Sequence, residues 1–209
     1  MNDKIENQIR KFFLSKNIAP EDIPDIGLYM DQVTSFLENR LEEGKRYPDD
    51  KIMTKTMINN YTKNRLLPPS DKKKYSRGHM ILILMIYYLK NMLSITDIKT
   101  VLEPLNTVFF DSDNEKGISL EQIYQRISDS YDSKREDTIR QLMEDLESSR
   151  GTFSSPSLSD QDQRYLDDLS MICNLGYDIY IRKRLMEQLI DNYREDYPQA
   201  DKKKKKPSR

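Results

Sequence analysis

The sequence predicts an all-α protein made of short capped helices and closed by one long helix. Three observations carry that expectation. Apolar residues recur at three- and four-residue spacing along most of the chain, and no stretch alternates with period two for long. Only 6 glycines and no tryptophan among 209 residues argue against a glycine-cornered barrel and against a Gly-rich nucleotide loop. Serines and threonines stand where apolar stripes begin, and prolines where they end.

In order along the chain, Ile5, Ile9, Phe12 and Phe13 set an opening helix over residues 3–15, followed by a turn with two prolines at 17–24. Leu28, Val33, Phe36, Leu37 and Leu41 mark an amphipathic helix over 25–43. A polar loop leads to Thr54 and Thr56, either of which can cap a short helix by accepting an orphan backbone N–H. Pro68 and Pro69 stop that helix near Leu66. Met57, Ile58, Tyr61 and Leu66 face inward, which leaves Asn59, Asn60, Lys63 and Arg65 outside. The one strand expected is a wing fragment at 72–75, inside a tight basic turn. Ser76 caps an apolar helix over 77–92, too short to span a bilayer and therefore read as buried. A helix opening at Ser94-Ile95-Thr96-Asp97 runs to Glu103 and stops at Pro104.

Beyond Pro104 the character changes. Residues 111–170 carry 15 acids against 7 bases. Two capping boxes, one opening at Ser119 and one at Ser133, predict two successive helices with apolar faces. A Ser-rich linker at 148–159 precedes a long helix over 161–196, capped by Ser159 or Asp160, in which Gly176 either kinks the stripe or admits another helix. The lysine-rich end from Lys202 is disordered by composition. The domain reading is an N-terminal helix and turn over 1–22, a helix-turn-helix unit over 23–105, a helical dimerisation or effector region over 106–198 and a basic tail over 199–209.

Charge singles out one site. Residues 51–77 hold eight bases and one acid in a chain whose net charge is −1. A basic patch on a helix followed by a turn is the electrostatic footprint of a nucleic-acid site. Asparagine pairs bidentately with adenine, and lysine or arginine suits guanine or phosphate. The candidate DNA-contacting residues are therefore Thr56, Asn59, Asn60, Lys63 and Arg65 on the helix, with Lys72, Lys73, Lys74 and Arg77 holding the backbone from the wing side.

Residues 58–102 resemble the winged helix-turn-helix of the MerR-like regulators. Tyr61, Leu66-Leu67-Pro68-Pro69, Tyr75-Ser76 and the run from Ser94 to Lys99 with Leu102 stand in that family's order. Asn59 replaces the usual Arg before the tyrosine, Arg65 replaces the usual Gly, and the wing is about half the family's length. Residues 23–102 are similar to an uncharacterised Gram-positive family, domain of unknown function eighteen thirty-six, which implies a fold and no activity.

Other chemistry finds little footing. The lone His79 and lone Cys173 leave no His or Cys zinc site and no internal disulfide, which points to a reducing cytoplasm. The N-terminus lacks the apolar segment of a signal peptide. Asp111, Asp113 and Glu115 imitate a calcium loop, but the glycine comes one place late and Gln122 stands where a bidentate Glu belongs. No catalytic motif stands on a recognisable turn, so no enzyme, cofactor or metal is expected. The function expected is a DNA-binding transcriptional regulator acting on double-stranded DNA. It would pair as a homodimer through Leu166, Leu169, Ile172, Ile179, Leu185 and Leu189 of the last helix. The alternative is a protein-interaction adaptor that keeps the helix-turn-helix shape without binding DNA. An RNA binder lacks the interleaved exposed aromatics.

Overall fold

The computed structural model describes residues 17–110 and 117–196 together with Asn7 and Ile9. The expected opening helix (apart from those two residues), the Asp111 to Glu115 stretch and the lysine tail lie outside the described residues. Six helices form the described structure, joined by one two-stranded sheet: α1 (Met30–Leu41), α2 (Lys55–Lys63), α3 (Arg77–Leu89), α4 (Ile95–Pro104), α5 (Leu120–Ser149) and α6 (Asp160–Asp196). None of the described helices is long and apolar enough to cross a membrane.

The core is arranged around α3. All eight residues from His79 to Ile86 are buried, as expected of a helix apolar on every face. Val33 and Leu37 of α1, Ile58 and Tyr61 of α2, and Ile98 and Leu102 of α4 join the same cluster. Leu120 and Tyr124 of α5 and Ile190 of α6 enter it as well, so both long helices are anchored in the core. The Tyr124 hydroxyl donates to the Ile18 carbonyl at 2.8 Å and ties the start of α5 to the beginning of the described chain.

The caps explain where helices begin. Ser94 accepts the Asp97 N–H, Ser119 accepts the Gln122 N–H and Ser159 accepts the Asp162 N–H, each at 3.1 Å. Five boundaries depart from expectation. First, α1 begins at Met30, because Leu28–Tyr29 form a strand, β1, antiparallel to β2 (Lys74–Tyr75), with Leu28 opposite Tyr75. The strands approach so closely at Gly27 that a Cβ there would lie 3.1 Å from the Lys74 side chain. Second, α2 ends at Lys63 and not near Leu66. Third, α3 ends at Leu89 and not at Met92.

Fourth, the helical backbone does not stop at Pro104. The chain continues through it into a π-helical turn, Leu105–Phe109. Proline lacks an N–H and crowds the carbonyl four residues back, yet here it is the last residue of α4, and the wider turn begins just after it. Fifth, the two segments expected after Ser119 are one 30-residue helix. Ser133 does not cap a second one; its hydroxyl donates to the Ser130 carbonyl inside α5. Gly176 sits within an unbroken α6, and a Cβ there would meet nothing within 4 Å, so no helix closes in on it in this chain.

Candidate nucleic-acid interface

Helix α2 is fixed at both ends before any partner arrives. Thr54 caps its start, accepting the Met57 N–H at 3.2 Å. At its end the Leu66 N–H bonds the Tyr61 carbonyl at 2.9 Å and the Arg65 N–H bonds the Thr62 carbonyl at 3.1 Å. This is the Schellman pattern, which places one residue in the left-handed region. That residue is Arg65, at φ 60°. The Asn106 amide, from the π turn, then donates to the Leu66 carbonyl at 2.9 Å.

Between these ends the helix is cleanly two-faced. Ile58 and Tyr61 are buried, and burial pushes the Tyr61 hydroxyl pKa above its ordinary value. Thr56, Asn59, Asn60 and Lys63, spaced i, i+3, i+4 and i+7, are all exposed on the opposite face. Lys55, just before them, is held in an ion pair with Asp31 of α1.

The turn that follows is a tight hairpin. The Lys74 N–H donates to the Asp71 carbonyl at 2.8 Å, with Lys72 at φ 46° and Lys73 at φ 66° between them. Two successive positive φ values are the mark of a type I′ turn, whose usual residues are Asn-Gly. Two lysines hold this geometry at a cost, since a non-glycine residue in the left-handed region is strained. Both are exposed, as is Lys74, whose ammonium sits 5.4 Å from the centre of the Tyr29 ring across the sheet. Helix and hairpin meet at a depression of about 350 Å³ lined by Asn59, Thr62 and Lys63 from one and by Pro69, Ser70 and Tyr75 from the other.

His79 braces this junction, a role the sequence pattern did not suggest. Its Nδ1 lies 3.1 Å from the Ser76 backbone N–H and 2.9 Å from the Ser76 hydroxyl, and its Nε2 lies 3.3 Å from the Pro69 carbonyl. An N–H must donate, so Nδ1 accepts and the proton sits on Nε2. The ring packs edge-on against Tyr75 and Phe110, with centroids 5.5 and 4.7 Å away. The available signal was the capping-box spacing of Ser76 and His79, with histidine in the place of the usual Glu or Gln.

The remaining candidates are placed differently. Arg77 is turned toward its own chain, 3.4 Å from Glu121 and 3.8 Å from Asp25, so it reaches a phosphate only by giving up those carboxylates. Arg65 is exposed past the end of α2, away from the i, i+3, i+4, i+7 face. On α6, Leu169, Ile172, Ile179, Leu185 and Leu189 are between 40% and 66% exposed, whereas Leu166 is half-buried. Cys173 is also exposed, against the expectation of a packed thiol.

Comparison with known proteins adds one positive finding. The chain matches no curated protein and no solved structure. One family model matches residues 18–127, just over half of the chain, which reaches past α4 into the first turns of α5. On that match, the chain belongs to the family described as Domain of unknown function (DUF1836).

Proposed function

We propose that this protein is a DNA-binding transcriptional regulator in which α2 enters the major groove and the hairpin at 71–74 rests on the phosphate backbone. The observation that carries the reading is the joint surface of α2 and the hairpin. Four exposed side chains able to hydrogen-bond, Thr56, Asn59, Asn60 and Lys63, share one face beside a turn that presents Lys72 and Lys73 at its tip. Asparagines on such a face suit adenine edges, and the lysines suit phosphate. The left-handed Arg65 supports the MerR-like likeness, since it occupies the backbone geometry that glycine takes where the likeness expects one. One nine-residue helix reads only a few base pairs, so useful specificity needs two copies at two half-sites.

The adaptor reading draws its support from a different observation, the exposed apolar length of α6. Salt separates the two readings. Fluorescence anisotropy would be measured against random duplex DNA and against DNA from upstream of the protein's own coding sequence, across a salt series. A regulator binds the upstream DNA more tightly. Its salt slope falls when Lys72 and Lys73 become alanine, by about one for each phosphate that is no longer neutralised. Deleting 202–209 controls for the tail. Binding that vanishes with the tail alone, or that ignores salt, would sink the regulator reading.

A further inference from the structure

Apolar residues continue along α6 well beyond what this chain covers. Tyr165, Leu169, Ile172, Gly176, Ile179, Lys183, Met186, Ile190 and Tyr193 are spaced alternately by four and three residues, which is a heptad seam interrupted at Gly176 and Lys183. The C-terminal part of the seam is occupied. Ile190 is buried in the core, Met186 packs against it, and Tyr193 is half-buried. There Arg194 bonds Asp97 at 2.6 Å and Thr100 at 3.4 Å on α4. The N-terminal part is open: Tyr165, Leu169, Ile172 and Ile179 are all exposed. From Tyr165 to Lys183 this open seam is roughly 27 Å long at the α-helical rise, and its midpoint lies at Asn174.

We propose that this open seam docks a second copy of the chain, with the two α6 helices antiparallel about a twofold axis near Asn174. Charge sets the direction. The first turns of α6 carry Asp160, Asp162, Asp167 and Asp168 against Arg164 alone, whereas beyond the midpoint Arg182, Lys183 and Arg184 outnumber Asp178 and Glu187, with which they pair in their own chain. Parallel helices would set acid beside acid and base beside base; antiparallel helices set the acidic end beside the basic cluster. The seam then fixes the register. Leu169 meets Ile179 of the second copy, Ile172 meets Gly176, and Tyr165 meets Lys183, whose ammonium lies over the ring. Gly176, open in the single chain, gives the facing isoleucine its space. Asp168 flanks Arg182 of the second copy, and the two Cys173 side chains face each other beside the axis. This inference rests on the two-copy part of the proposed function but needs no contact with DNA.

The test uses the full chain without DNA. Light scattering after size exclusion is expected to give a dimer. A short bis-maleimide is expected to cross-link that dimer, with the product absent from Cys173→Ser. In a parallel pair the two cysteines lie on opposite flanks and do not cross-link. Asp168→Arg and Arg182→Asp, each placing like charges together at two symmetric points, are each expected to raise the dimer dissociation constant about tenfold. Combined, they are expected to return it to within about threefold of the starting value, because the symmetric pairs re-form with reversed sign. Unchanged helical circular dichroism confirms that the variants fold. A monomer at high micromolar concentration, a dimer that does not cross-link, or a double variant no tighter than the singles would overturn the proposal. A dimer that forms as expected but ignores DNA would remove only the regulator reading.

Discussion

Helices α3 and α6 treat apolar residues in opposite ways. In α3, thirteen residues long, every residue from His79 to Ile86 is buried, with neighbours in α4, α5 and β2. In α6, thirty-seven residues long, Ile190 alone among the described residues is buried, while three tyrosines and several leucines and isoleucines stand open. Apolar side chains alone do not make a core; the elements around them decide. A helix left open along roughly half its length keeps its shape through its own ladder of backbone bonds and its two anchors. One anchor is the Gly151 N–H to Asp167 bond at 3.1 Å near its start, and the other is the Arg194 to Asp97 ion pair near its end.

Substitution should sharpen this contrast. Leu84→Ala opens a cavity in the packed helix and is expected to cost about 2–5 kcal/mol in urea unfolding. Ile172→Ala, a truncation of similar size on α6, is expected to stay within about 0.5 kcal/mol in a monomeric sample and to show its effect only in association. A large loss at Ile172 in a monomer would mean that α6 is covered by its own chain after all. Tyr124→Phe removes a buried hydroxyl and leaves the Ile18 carbonyl unpaired, at an expected cost of about 1–3 kcal/mol by the same measurement.

A smaller effect, of opposite sign, is expected at the hairpin. Replacing Lys72-Lys73 with Asn-Gly relieves two left-handed lysines and should raise stability by about 1 kcal/mol. The same change should weaken DNA binding and flatten its salt slope. Stability and affinity moving together would argue that the strain serves no charge.

The smallest effect concerns pH. The Ser94 hydroxyl at 2.7 Å, and then the Arg194 guanidinium, hold the Asp97 carboxyl below its ordinary range. Its contribution is therefore complete above the ordinary aspartate pKa and is lost as pH falls through the lower folded value. Hydrogen exchange at the end of α6 should rise in that acidic window in the wild type. Asp97→Asn should raise it already at neutral pH and remove this step.

Sequence patterns reached features set by neighbours along the chain. The caps at Ser94 and Ser119, the inward Ile58 and Tyr61 and the uniformly buried α3 all follow from local spacing; the end of α2 at Lys63, ahead of Pro68, does not. What lay beyond reach depends on distant partners. Leu28–Tyr29 is a strand only because Lys74–Tyr75 lies beside it. The Ser133 capping box looked like a helix start because nothing in the sequence shows that α5 has already begun at Leu120. Arg77 looked as free for phosphate as its lysine neighbours until Asp25 and Glu121 folded against it. Of the candidate interface, the helix face was legible; the left-handed tip and the His79 brace were not, since both are matters of three-dimensional closure.

Helix α4 joins the α2 surface to the anchored end of α6. Asp97 and Thr100 hold Arg194 at one end of α6, and Asn106, just past Pro104, holds the carbonyl that closes α2. The intervening backbone is helical throughout, first α and then π, with no loop between the two attachments. In a two-copy complex the separation of the two α2 helices would therefore be set as if by a ruler. Such a protein would measure distance along a duplex as strictly as it reads bases. About five extra base pairs between half-sites, half a turn, would put the second helix on the wrong side of the double helix, with no slack in the chain to follow it.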